Sequence, residues 1–144
     1  MIFDRLQSSG YLANWAARLF ARAIDRRLAP IGLSSAYMPV LFALAGGASL
    51  SQKALAEQAA VEQPTMANTL KRMERDGIVE RRPDPNDGRA ALVSLTPLGK
   101  QKLGGVKSAG HAVNDIAMAP LTEAERTQYY AILRKVIGAL EADG

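Results

Sequence analysis

The sequence predicts a mainly α-helical chain with one small β-hairpin, in which two closely spaced helices lead into a two-stranded finger. Three observations predict it. Met66, Leu70 and Met73 recur at i, i+4 and i+7, the single apolar stripe of a surface helix. Gly77 follows the stripe and reads as a helix cap in the left-handed conformation. Beyond it, Val93 and Leu95 alternate against Ser94 as they would in a half-buried strand.

The 144 residues are enough for one domain with a modest core. A net charge of +4 permits an anionic partner without demanding one. Cysteine is absent, which excludes disulfides, thiolate zinc sites and a thiol redox switch. No apolar run reaches membrane-spanning length. Asp4 and Arg5 interrupt what a secretory signal would need, so a cytoplasmic protein without a membrane partner is expected.

Taken in order, Ser9 to Leu28 reads as a helix whose Leu12, Trp15, Ala16, Leu19, Phe20, Ala23, Ile24 and Leu28 make a face broader than one small domain needs. Ile2, Phe3 and Leu6 add to it, and surplus apolar surface on a terminal helix is commonly hidden in a partner. Arg18, Arg22 and Arg26 form a basic stripe. Its plain reading is a solvated face with local ion pairs; the sharper ones are positive field toward DNA or an anchor for an anionic effector. Pro30 and Gly32 end this helix. Ser34 or Ser35 can cap the next, Tyr37 to Leu44, and Pro39 in its first turn costs at most one hydrogen bond.

Gly46-Gly47 is a turn, Leu50 a one- or two-residue strand beside the finger, and Ser51 the cap of a short helix from Gln52 lined by Leu55, Ala56, Ala59 and Ala60. The striped helix then turns Gln63, Ala67, Asn68, Lys71 and Arg75 outward, small, amide-bearing or basic residues that suit base edges and phosphates. Ile78 to Arg82 and Ala90 to Leu95 are strand-like, with Pro83, Pro85 and Asp87-Gly88 forming the tip between them. Arg89 leaves that tip two residues after Asp87, whose carboxylate could hold its guanidinium extended by a bidentate pair. An extended arginine on a narrow finger is well shaped for a minor groove.

Thr96-Pro97 opens a helix to about Ala117, weakened by Gly104, Gly105 and Gly110, which read as close helix packing or as a soft point. Thr122 to Glu125 is a capping box. The last helix carries Tyr129, Ile132, Leu133, Val136, Ile137 and Leu140 on another broad apolar face.

Together, Leu55-Ala56-Glu57, the turn at Thr65, Leu70, Arg72, Glu74, Gly77, Val79-Glu80-Arg81 and Asp87-x-Arg89 through Val93-x-Leu95-Thr96 to Gly99 resemble the winged helix-turn-helix of MarR-family bacterial transcription regulators. The resemblance implies a winged helix-turn-helix head on an α-helical dimerisation platform: 1–33 for the N-terminal helix of the platform, 34–96 for the DNA-binding head, and 97–144 for the helices completing the platform. It further implies a homodimeric repressor on a pseudo-palindromic stretch of double-stranded DNA, released by a small-molecule effector. On this reading Gln63, Pro64, Ala67 and Asn68 meet base edges. Ser51, Thr65, Lys71, Arg72 and Arg75 meet phosphate, with Arg72 equally a structural partner for a carboxylate. Arg89 is the minor-groove arginine of the wing and Asp87 its orienting partner. Oxidant-sensing members use a cysteine, so that branch is closed. An effector pocket could form where Trp15, Tyr37, Phe42 and His111 approach, although plain core is the simpler account of most of them.

Between Glu62 and Arg89 six basic and six acidic residues balance, so DNA affinity must come from placement and not from bulk charge. An enzyme reading is weak, because the lone His111 has no partner of nucleophilic or metal-ligating spacing; no metal or cofactor is expected. The alternative is a winged-helix protein-interaction module without DNA binding.

Overall fold

The structure, a computed structural model, describes residues 4–144. Ile2 and Phe3 therefore lie outside the described residues. The elements are α1 (Ser9–Leu28), α2 (Met38–Leu44), β1 (Leu50–Ser51), α3 (Gln52–Ala59), α4 (Gln63–Arg75), β2 (Val79–Asp84), β3 (Asp87–Leu95), α5 (Pro97–Met118) and α6 (Glu123–Asp143). By compactness the chain divides into two units, residues 1–110 and 111–144. No single helix among the described residues is long and apolar enough to cross a membrane.

In the first unit, α1 and α3 end the same way. The Leu33 amide reaches back to the Leu28 carbonyl and Gly32 (φ 75°) to Ala29, a Schellman closure. Ala60 closes α3 with the same pattern at φ 54°, the one described non-glycine residue at positive φ. So Ala60 does not line the short helix as the sequence suggested. It is exposed and forms the turn, while Leu55 and Ala56 carry the packing.

α3 packs on α2 and on α4, and the sheet packs beside them. Leu28, Val40, Leu44, Leu55, Met66, Leu70, Met73, Ile78 and Val93 are fully or almost fully buried there. The sheet runs β1-β3-β2, all antiparallel, with Leu50 opposite Val93 and Val79 opposite Leu95. The hairpin is longer than its sequence implies. Pro83 and Asp84 continue β2, Asp87-Gly88-Arg89 already belong to β3, and only Pro85-Asn86 remain as the tip. Pro83 is tolerated because β2 is an edge strand, where a missing N–H costs no ladder bond.

Thr96 fastens the foot of the hairpin. Its hydroxyl donates to the Gly77 carbonyl and accepts the Gly99 amide at 3.0 Å, capping α5 while tying it to the end of α4. Gly99 is required there, since a Cβ would come within 2.3 Å of the Ile78 carbonyl oxygen. Of the other glycines of α5, Gly105 abuts Ile31, whereas Gly104 and Gly110 face open space. Close packing therefore explains Gly105 alone.

On α1 only Ile24 and Leu28 are buried; Tyr11, Leu12, Trp15 and Leu19 are exposed. In the second unit, the capping box is formed by Thr122 and Glu125 as expected, and Ile132, Val136, Ile137 and Leu140 are exposed along α6. Uncovered apolar surface on this scale is the surplus anticipated from the sequence.

Candidate nucleic-acid interface

α4 is amphipathic in the simplest way. Met66, Leu70 and Met73 are at most 2% exposed, and the opposite face is polar. Its first turn begins at Gln63, with Glu62 in the cap position making no side-chain cap bond and Pro64 occupying a position whose N–H would be unpaired anyway. Gln63, Pro64, Thr65, Asn68, Lys71 and Arg75 are exposed and Ala67 is half-buried. The N-terminal turn of α4 thus offers an amide, a small side chain and a second amide on one accessible face. That combination can address base edges without steric obstruction.

The C-terminal end is differently occupied. The Arg72 guanidinium lies 5.4 Å from the centre of the Tyr37 ring. Arg75 Nε pairs with Asp76 Oδ1 at 3.2 Å. Tyr37 donates its hydroxyl hydrogen to Asp76 Oδ2 at 2.6 Å. That bond, together with Arg75 and Arg72, holds the Asp76 carboxyl below the usual carboxylate range despite some desolvation, while burial and then Asp76 itself push the Tyr37 phenol up. Among the predicted phosphate contacts on α4, Lys71 and Arg72 are exposed cations without an ion pair among the described residues, and of the two only Arg72 lies over an aromatic ring. Ser51 is half-buried, and its hydroxyl accepts the Ala54 amide at 3.1 Å as the cap of α3.

On the hairpin, Arg81 Nε meets Glu74 Oε1 at 2.6 Å, a bond from wing to α4, and Arg82 pairs with Glu80 at 2.7 Å. Arg89 is exposed. The expected Asp87–Arg89 ion pair is not formed among the described residues. Asp87 Oδ1 accepts the backbone amide of Arg89 at 3.0 Å instead, leaving the guanidinium unrestrained. An i, i+2 spacing suits that local turn, and it orders no long side chain. The stripe Arg18, Arg22 and Arg26 is exposed and makes none of the local ion pairs expected of it among the described residues. Its neighbour Asp25 accepts the Ser35 amide at 2.7 Å, and Arg27 donates to the Ala23 carbonyl.

The four residues suggested for an effector pocket have different fates. Tyr37 is 2% exposed and hydrogen-bonded, Phe42 is 75% exposed on α2, Trp15 is exposed on α1 beneath the Arg5 guanidinium, and His111 is exposed on α5. A cleft of about 490 Å³ lies elsewhere, lined by Pro30, Ile31, Gly32, Leu98, Gln101, Lys102 and Gly105, with Lys102 Nζ donating to the Ile31 carbonyl. Sequence reasoning missed this cleft and the Tyr37–Asp76 bond. The only local hint of the latter is a carboxylate placed where α4 must end.

Comparison with known proteins gives a consistent picture. The sequence profile of the MarR family matches residues 31–90. The transcriptional regulator HosA of Escherichia coli O111:H- is 33% identical over 100 residues, 69% of this chain and 74% of that one. The HTH-type transcriptional repressor NicR of Pseudomonas putida is 27% identical over 142 residues, covering 99% of this chain and 90% of that repressor. Among solved structures, the PcaV transcriptional regulator from Streptomyces coelicolor, in complex with its natural ligand, superposes with a TM-score of 0.84 at 25% identity, over 97% of this chain and 99% of that one.

Proposed function

This chain belongs to the MarR family of transcriptional regulators, and we propose that it is a cytoplasmic repressor acting as a homodimer on a pseudo-palindromic operator. The observation that carries the reading is the division of α4. Its apolar stripe is spent entirely on the core, which leaves Gln63, Asn68 and Lys71 accessible beside a hairpin with an unrestrained Arg89. In a two-fold dimer the two copies of α4 would enter successive major grooves about 34–36 Å apart. The roles follow from that pose: Gln63, Pro64, Ala67 and Asn68 toward base edges; Thr65, Lys71 and Ser51 toward phosphate; Arg89 in the minor groove. Arg75 and Arg72 add positive field near phosphate while remaining engaged with Asp76 and Tyr37.

The pairing surface would be drawn from residues 1–33 and 97–144, whose exposed Leu12, Trp15 and Leu19, and Ile132, Val136 and Ile137, a partner would cover. Release by a small-molecule effector belongs to the same proposal, and it requires an effector that favours one of two head spacings. For its site the cleft lined by Ile31, Leu98 and Lys102 serves better than the surroundings of Tyr37. Phenol and ring there are already committed.

The test is a mobility shift of genomic fragments with the full chain, alongside its mass in solution. A discrete complex of two chains per duplex, weakening steeply with salt as counterions are released, is expected. If no fragment binds tighter than competitor DNA at moderate salt, the protein-interaction reading takes its place.

A further inference from the structure

The three-residue turn Ser35–Tyr37 lies between α1 and α2 and is held at both ends by carboxylates from other elements. At its start, Asp25 of α1 accepts the Ser35 amide at 2.7 Å. At its end, Tyr37 donates to Asp76, the residue that closes α4, at 2.6 Å. The turn is stiffened from within, because Ser34 caps it through the Ala36 amide and the Tyr37 amide bonds the Ser34 carbonyl. The Tyr37 ring is buried, with the Arg72 guanidinium over its face. α1 and the far end of α4 are therefore joined by one short, doubly anchored piece of backbone.

We propose that Tyr37 is a positioning residue for DNA reading: the turn Ser35–Tyr37 is a strut that fixes the C-terminal end of α4 relative to α1 and thereby the angle at which Gln63 and Asn68 are presented. The proposal rests on the DNA-binding reading above. The physical reason is leverage. A helix of 13 residues is about 20 Å long, so a small pivot at Asp76 becomes a comparable displacement of the reading turn at the other end. Productive contact with base edges tolerates only about half an ångström of error. The buried stripe holds α4 against the core along its length, and the strut adds a polar anchor beyond Met73, where the stripe stops. A part-buried hydrogen bond of 2.6 Å to a charged carboxylate is well suited to set the tilt of the helix there.

The inference is tested with Tyr37→Phe, which keeps the ring and its contact with Arg72 and removes only the hydroxyl. Asp76→Asn serves as the second variant should the first fold poorly. The probe is a duplex selected by the wild-type chain from a randomised pool, compared with an unselected duplex of equal length. Expected is a loss of about tenfold in affinity for the selected duplex, with affinity for the unselected one and the salt slope unchanged. Asp25→Ala cuts the other end of the strut and should lower selected-duplex affinity by a similar factor. The double variant Asp25→Ala/Tyr37→Phe should lose no more than the worse single one, since a strut severed once transmits nothing. Equal losses on both duplexes, losses that simply multiply, or a lower melting temperature with unchanged selectivity would each overturn the positioning role. If the wild-type chain enriches no sequence, the DNA reading itself fails and takes this inference with it. If the wild type enriches a sequence and Tyr37→Phe binds it equally well, only the strut is lost.

Discussion

α4 and the β2–β3 wing carry the residues proposed to meet DNA, yet the molecule holds them very differently. α4 is fixed along its length by Met66, Leu70 and Met73, and at its end by a Schellman closure in which Ile78 reaches Met73 and Gly77 reaches Glu74. Tyr37, Arg72 and Arg75 converge on that same end. The wing is anchored at its foot by Thr96 and by the Arg81–Glu74 pair. Beyond Arg82 its residues are mostly exposed and depend on the two-stranded ladder and local turns at Asp84 and Asp87. The difference matches the tasks proposed for them. Base edges demand a fixed helix, whereas a guanidinium seeking a narrow groove gains from being able to adjust.

Two substitutions would break this comparison most directly. Met73→Ala removes a fully buried side chain from under α4 and should destabilise the first unit by about 2–5 kcal/mol, read as a fall in the urea midpoint. Loss of less than about 1 kcal/mol would mean that the stripe is not what fixes α4. Arg89→Ala should do the reverse. Stability should stay within about 0.5 kcal/mol, because the side chain is exposed. DNA affinity should fall by about tenfold or more, because the wing loses its only free cation near the tip among the described residues. Unchanged DNA binding would refute the wing assignment.

That same contrast decides what could be read from the sequence. The stripe of α4, the Gly77 cap, the Ser51 cap, the Thr122 capping box and the small β1 strand were all legible, because each is a local pattern in which period or spacing dictates geometry. The sequence implies a shorter wing than the structure has. Pro83, Pro85 and Asp87-Gly88 are turn-forming types, and only the strand order, with β2 at the edge, shows why Pro83 can stay in the ladder. The spacing of Asp87 from Arg89 serves guanidinium and backbone amide alike, so it points to the right residue without deciding which hydrogen the carboxylate takes. The Tyr37–Asp76 bond spans 39 residues and has no local signature at all.

Ala60 offers a smaller test, at the turn that delivers the chain into α4. A left-handed alanine costs about 1–2 kcal/mol, part of which glycine would give back in unfolded-chain entropy. Ala60→Gly should therefore raise stability by about 0.5–1 kcal/mol, seen as a melting temperature a few degrees higher. A decrease would mean that the Ala60 methyl is a packing contact, which its exposure argues against.

The finest discriminator is pH. The Asp76 carboxyl is held below its ordinary 3.8, first by the Tyr37 hydroxyl and then by Arg75, with desolvation opposing. The unfolded chain therefore binds its proton at higher pH than the folded one. The resulting stabilisation is complete above 3.8 and is lost as pH falls through the folded value. The Tyr37 phenol is raised above its ordinary 10.0, chiefly by burial and then by Asp76; its contribution is complete below 10.0 and lost as pH climbs beyond it. Stability of the wild-type chain should thus be level between these values with a limb on each side. Tyr37→Phe should shallow the acid limb and remove the alkaline one, and Asp76→Asn should remove the acid limb. Arg89→Ala, out on the wing, should leave both as they were. Urea midpoints measured across pH 3–5 and again above pH 10 in the wild type and the three variants would show it. An acid limb in Tyr37→Phe as steep as in the wild type would detach the end of α4 from the turn before α2, and with it the contrast between a pinned helix and a compliant wing.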